Sequence, residues 1–187
     1  GTELEAAEPA LFREAIAEAI RATMWVGDTS RADGLNTFDG FLKRIRTDAA
    51  AADSEIVSVP MTDMTAADAA RDLLKKMWET APETLRQFKG QENLVYLVTS
   101  DVYENYEETL DNVSVESAYL ARQNGRSGIS YKGIPVLDIR IGSYLTQYAD
   151  MPASLALLTD RRKLALAVNT SDFPGMEVRM WYNPDEM

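Results

Sequence analysis

Asn93-Leu94-Val95-Tyr96-Leu97-Val98-Thr99, followed at once by Ser100-Asp101-Val102-Tyr103-Glu104-Asn105-Tyr106-Glu107-Glu108-Thr109-Leu110, is the stretch whose reading decides the fold. Leu94 to Val98 are apolar without alternation, the pattern of a strand buried on both faces. At Ser100 the period changes from strand to helix. Ser100 is a favourable helix cap, Asp101 and Glu104 suit the positive end of the helix dipole, and Val102, Tyr103, Tyr106 and Leu110 share one face. A strand that turns into a helix within one residue lays that helix back against its own sheet, so the chain reads as an α+β protein with a central sheet flanked by helices.

Upstream, Glu8 to Val26 reads as one amphipathic helix, with Pro9 in its first turn and a stripe of Leu11, Phe12, Ile16, Ala19, Ile20, Met24 and Trp25. Gly27-Asp28 ends it, Thr29 to Gly40 reads as a loop, and Phe38, Phe41, Leu42 and Ile45 dock the end of that loop. Asp48 to Asp53 is a linker candidate. Ile56 to Val59 is a short strand candidate closed by Pro60. A helix follows with the stripe Ala69, Ala70, Leu73, Leu74, Met77 and Trp78, opened by a capping box in which Asp68 replaces the usual Glu three residues after Thr65. It ends by Ala81-Pro82, and Glu83 to Phe88 adds a further turn or two.

Downstream, Asn112 to Ser130 reads as a long loop, a length that in compact domains usually serves function. Tyr131 to Leu137 is a further apolar strand. Ala153 to Leu158 and Leu164 to Val168 are apolar segments joined by a turn at Thr159 to Lys163, and Met176 to Tyr182 alternates like a half-exposed strand. The organisation expected is a helix and first lobe over 1–60, a sheet with helices over 61–170, and a return strand over 171–187.

The composition removes whole classes of chemistry. The 187 residues contain neither His nor Cys. Thiol nucleophiles, imidazole bases, Ser-His-Asp triads, disulfides and the usual His or thiolate metal ligands are thereby excluded. Thirty acidic against nineteen basic residues give a formal charge of −11, unfavourable for a polyphosphate partner unless the basic groups cluster. The tight clusters are Lys43-Arg44 with Arg46, and Arg161-Arg162-Lys163, both short enough to be solvated faces or element ends. No apolar run approaches the roughly 18 residues that span a bilayer, so the chain reads as soluble. Gly1 stands where an initiator Met belongs, which places the natural start elsewhere.

Carboxylates are the remaining catalytic material. Asp101, Glu104 and Glu108 share one helix face, with Glu107 beside them, and paired acids of this kind perform glycosidase chemistry when one is buried enough to hold a proton. The apolar stripe lies on the other side, which puts these acids in water. Gly125-Arg126-Ser127-Gly128 has the small residues of an anion nest but no P-loop Lys, and Asp28 to Asp39 matches no calcium-loop spacing. No catalytic, cofactor-binding or metal-ligating residue is assigned, and no cofactor is expected.

The order of elements carries more. The helix ending at Met24-Trp25-Val26-Gly27 is followed by Gly34-Leu35-Asn36-Thr37-Phe38-Asp39-Gly40-Phe41, then by the strand-helix of Asn93 to Leu110. Next come the strand with Gly133-Ile134-Pro135-Val136, a Met151-Pro152 turn into Leu155 to Leu158, and the last alternating strand. This order resembles the major capsid protein family of tailed bacteriophages, whose fold bacterial encapsulin shells share. The resemblance implies a long spine helix and a central mixed sheet flanked by helices. It also implies a structural coat subunit of a phage or prophage virion, assembled in the bacterial cytoplasm. The partners implied are copies of itself in pentamers and hexamers, with scaffolding or portal proteins, and neither a membrane nor a specific nucleic-acid sequence. The family's N-terminal arm and extended loop have no counterpart before the first helix, so the chain is expected to be the central portion of a longer protein. An assembly role is expected for Asn112 to Ser130. The alternatives are an encapsulin-like compartment, a carboxylate-dependent glycan hydrolase, and an α+β interaction module.

Overall fold

In a computed structural model that describes residues 2–32, 34–113, 128–148 and 150–167, the strand at Leu94–Val98 is buried at every position. Along the chain run α1 (Thr2–Val26), α2 (Phe41–Ala49), α3 (Ala69–Thr80), α4 (Glu83–Arg86), β1 (Leu94–Val98), α5 (Ser100–Val113), β2 (Ser130–Tyr131), β3 (Ile134–Asp138), α6 (Gly142–Leu145), β4 (Ala156–Asp160) and a 3-10 turn at Arg161–Lys163. Successive side chains of a strand point to opposite faces. Leu94, Tyr96 and Val98 therefore enter one core with Ala70, Leu73 and Leu74 of α3 and Val102 and Tyr106 of α5. Val95 and Leu97 enter a second core with Ala22, Trp25 and Val26 of α1, Leu42 of α2, and Ile141, Tyr144 and Leu145 around α6. The expected α+β architecture is present, a mixed four-stranded sheet with helices on both faces.

The sheet order is β2-β3-β1-β4. β3 runs parallel to β1, with Tyr96 opposite Val136, and β4 runs antiparallel, with Leu94 opposite Asp160 and Val98 opposite Ala156. The parallel pair needs a crossover, and α5 begins it. Thr99 closes the far end of the β1–β4 ladder: its N–H donates to Leu155 O at 3.0 Å and its Oγ1 accepts from Leu155 N–H at 3.0 Å.

Several local expectations are corrected. Tyr131 to Leu137 is not one strand but a tight hairpin, because Lys132 (φ 51°) and Gly133 (φ 80°) both adopt the left-handed conformation that a two-residue turn requires. Pro135 pairs with Ser130 one residue before β3 enters register with β1 at Val136, where a missing N–H costs the parallel ladder nothing. Ile56 to Val59 forms no strand; Ile56 and Val57 are exposed and lack a partner strand among the described residues. Phe41 to Ala49, read only as a docking cluster and the start of a linker, is a helix, and Thr159 and Asp160, read as turn, complete β4. The Asn112 to Ser130 loop is shortened at both ends by α5 and β2, and its 114–127 portion lies outside the described residues, as does the Met176 to Tyr182 strand.

The capping box of α3 does not form. Asp68 sits at φ 60° and makes no side-chain cap, while Thr65 bonds back to the carboxylate of Asp63. The cap comes instead from α5: Asn105 Oδ1 accepts from Ala70 N–H at 2.9 Å, and its Nδ2 donates to Met64 O at 2.9 Å and Ala66 O at 2.8 Å. One side chain thus satisfies a helix start and the turn before it. Asn105→Ala should lower unfolding stability by about 1–3 kcal/mol, the cost of leaving such groups unpaired, read as a shift of the urea midpoint. Ser100 also departs from expectation, since its hydroxyl donates to both carboxylate oxygens of Asp138 at 3.0 Å and so ties the start of α5 to the end of β3.

Candidate functional site

The acids of α5 stand where the helix period puts them. Asp101, Glu104, Glu107 and Glu108 are all exposed, opposite the buried Val102, Tyr106 and Thr109. Asp101, Glu104 and Glu108 join Asp68, Thr65 and Asn105 around an open recess of about 520 Å³. Asp101 also accepts a hydrogen bond from Ser154 Oγ. Glycosidase chemistry needs one carboxyl in an apolar pocket that favours its protonated form, and this recess supplies water and further carboxylates instead. Asp101→Asn, Glu104→Gln and Glu108→Gln together should leave the fold intact, each changing stability by about 0.5 kcal/mol or less. Thermal melts check the fold, and a hydrolytic activity abolished by the triple change would restore the enzymatic reading.

Two of the three loop aspartates converge on a lysine. Lys43 Nζ donates to Asp28 Oδ1 at 2.6 Å and to Asp39 Oδ1 at 2.8 Å, and Thr29 donates to Asp39 from both its N–H and its hydroxyl at 2.9 Å. Hydrogen bonds from Lys43, then from Ser30, hold Asp28 well below the ordinary carboxylate range. Those from Lys43 and then Thr29 bring Asp39 down to about 2 from 3.8. The cluster is a latch that folds the loop onto α2. Its companion is Arg31, whose Nη1 donates to Val26 O at 2.6 Å, whose guanidinium lies 3.7 Å from the Tyr148 ring centroid, and whose Nη2 meets Asp150 at 3.2 Å.

The basic clusters are absorbed by structure. Lys43 belongs to the latch, while Arg161 Nε donates to Asn93 Oδ1 at 3.0 Å and Arg162 pairs with the buried Asp160. Hydrogen bonds from Arg162 lower Asp160 to about 2. Carboxyls with depressed pKa values add stability that is fully present above the ordinary value near 3.8 and is lost as pH falls through the folded value near 2. The urea midpoint should therefore carry no contribution from Asp39 and Asp160 to its slope between pH 7 and 5, and should drop between about pH 4 and 2. Asp39→Asn should flatten part of that drop.

A different surface has no such internal answer. The last turn of α1 is buried through Ala22, Thr23, Trp25 and Val26, with Trp25 edge-on to Phe41 at 5.3 Å between ring centroids. Residues 11–20 are exposed on every side. Leu11 is 65% and Phe12 58% accessible, with Ile16 and Ile20 near 40%, so the stripe visible in the sequence is real but uncovered. The side chain of Tyr144 holds the root of this helix, donating to Glu18 at 2.8 Å and accepting from Arg21 at 3.4 Å. Aliphatic side chains at helical spacing with no core beneath them mark a contact surface rather than a chemical site.

Sequence reasoning found the stripe and the acids but missed Asn105 and Arg31, for which residue type and spacing give no signal, because both act across elements distant in sequence. The anion-nest candidate lies outside the described residues apart from Gly128. Among the described residues there is no cluster of three or more acidic side chains placed to hold a metal ion, and no helix is long and apolar enough to cross a membrane. No protein-family model matches the chain, and neither a curated protein nor a solved structure matches it.

Proposed function

We propose that the chain is part of a structural, self-assembling shell subunit, the major capsid protein of a tailed phage or prophage. The observation that carries this reading is α1, a 25-residue helix rooted in the body at its last turn and bare along the apolar stripe of Leu11, Phe12, Ile16 and Ile20. A spine helix in a shell subunit has such a stripe because other parts of the assembly cover it. The element order adds support: the spine is followed by a latched small-residue loop, then by a mixed sheet whose second long strand carries Gly133-Ile134-Pro135-Val136. In this reading the partners are copies of the same protein, arranged as pentamers and hexamers, with scaffolding and portal proteins joining during assembly. The role is mechanical, so the recess on α5 is a solvated face.

Electron microscopy of the full-length gene product tests the proposal. Closed shells from the wild-type protein, and folded but unassembled subunits from Ile16→Glu, are the expected pair of results. Monodisperse small species from the wild-type full-length protein under every assembly condition would overturn it.

A further inference from the structure

The outer edge of β4 is open. In its antiparallel register with β1, Leu155 and Arg161 bond inward: Thr99 N–H donates to Leu155 O at 3.0 Å, and Arg161 N–H to Asn93 O at 2.8 Å. Residues two apart share a direction, so Ala156, Leu158 and Asp160 aim their backbone N–H and C=O groups away from β1, and no described strand lies beside them. Native proteins blunt such an edge with lysine, proline, a bulge or a covering segment. Ala156-Leu157-Leu158-Thr159-Asp160 contains neither lysine nor proline. Along it lies a groove of about 480 Å³, lined by Leu157 and Leu158 of β4 together with the exposed Ile56, Val57 and Met61. An edge of unpaired backbone beside an apolar groove is the recognition surface for an extended segment with alternating side chains.

We propose that the occupant is Met176–Tyr182 of the same chain, which adds to β4 as a fifth strand. Residues 168–187 are outside the described residues, and the assignment rests on their sequence and on the geometry of what precedes them. Met176, Val178, Met180 and Tyr182 alternate with Glu177, Arg179 and Trp181, the pattern that a strand on this edge needs. Pro174-Gly175 immediately before them is a turn signal, and Asn169 to Asp172 has loop composition. Leu164 itself lines the groove, so the chain leaves the 3-10 turn already beside it. The residues from 165 to 175 span up to about 36 Å when extended, ample to double back along a five-residue strand of about 17 Å. The inference is independent of the shell reading, because it uses only the sheet edge and the sequence that follows it.

Hydrogen exchange on the full chain tests it. In the intact protein the amides of Leu158 and Asp160 should exchange at least about tenfold more slowly than in Val178→Pro, since proline within the strand removes a donor and breaks the pairing. Amides inside the β1 and β3 ladders, such as Tyr96 and Val136, should be unchanged and so report that the fold persists. Independently of that variant, nuclear Overhauser contacts in the intact protein should connect Leu158 to residues within 176–182. Equal exchange in the two proteins, or no such contacts, would overturn the proposal. So would contacts seen only between differently labelled copies, which would make a second molecule the occupant.

Discussion

Leu97→Ala should lower the free energy of unfolding by about 2–5 kcal/mol, the range for truncating a buried leucine. Leu97 is only 8% exposed; it lies between Leu137 of β3 and Leu157 of β4 in the sheet and faces the core that holds Ile141 and Leu145. Its neighbours are fixed by two ladders and cannot collapse into the space left by the missing methyl groups, which favours the upper half of that range. Against a total stability of about 5–15 kcal/mol for a domain, the loss is large. The measurement is the urea midpoint at neutral pH. A shift no larger than that of an ordinary surface substitution would show that β1 is not the central strand.

Gly27→Ala should be at least as damaging, although it adds a single carbon. A Cβ at Gly27 would collide with the carbonyl oxygens of Thr23 and Phe38 and come within 2.9 Å of Thr23 Cγ2. Gly40, whose N–H donates to Gly27 O at 2.8 Å, is equally hemmed in, with Trp25 O at 2.8 Å and Thr23 O at 2.7 Å from its own added carbon. These are main-chain atoms, some already engaged in holding the end of α1, so relief requires moving the helix end or the return of the loop. The cost should lie at or above the top of the roughly 1–3 kcal/mol typical of overpacking. It should also weaken the latch at Lys43 and the contacts of Arg31, because both depend on the path of this loop. Gly142→Ala is the control: nothing lies within 4 Å of its added carbon, and the change should fall within about 0.5 kcal/mol. Thermal melts of both variants decide the matter, and equal stability of the two would mean that the α1 end and the loop are not in close contact.

These two sites show what the sequence could and could not disclose. The burial of β1 was readable because five apolar residues without alternation have one physical solution, and the face of α5 was readable because a period of 3.6 sorts apolar from acidic positions. Gly27 was readable as a helix stop, but its second duty, the close approach of Gly40, depends on a chain returning thirteen residues later. The Thr65-Asp68 pattern misled for a related reason. A cap is an unfilled hydrogen-bonding need that any nearby side chain can meet, and Asn105 reaches it from α5 at three separate atoms. The hairpin at Lys132-Gly133 was hidden because only one of its two left-handed residues is a glycine. Ile56 to Val59 has strand composition, but composition does not supply a neighbour. For the candidate site, the α1 stripe was legible as a pattern, whereas its lack of a cover is a property of the folded chain.

The position of β1 in the sheet has a consequence for synthesis. Both of its partners lie later in the chain: β3 is reached at Ile134 and β4 only at Ala156, whereas β1 itself ends at Val98. At about 5–20 residues per second, a ribosome needs roughly 3–12 s to pass from the end of β1 to the start of β4. During that interval the most apolar strand of the protein emerges with α1 to α4 already available but with both of its hydrogen-bonding edges bare. Nascent chains should therefore be most vulnerable to aggregation, and most dependent on chaperones, while the segment from α5 to α6 is being translated.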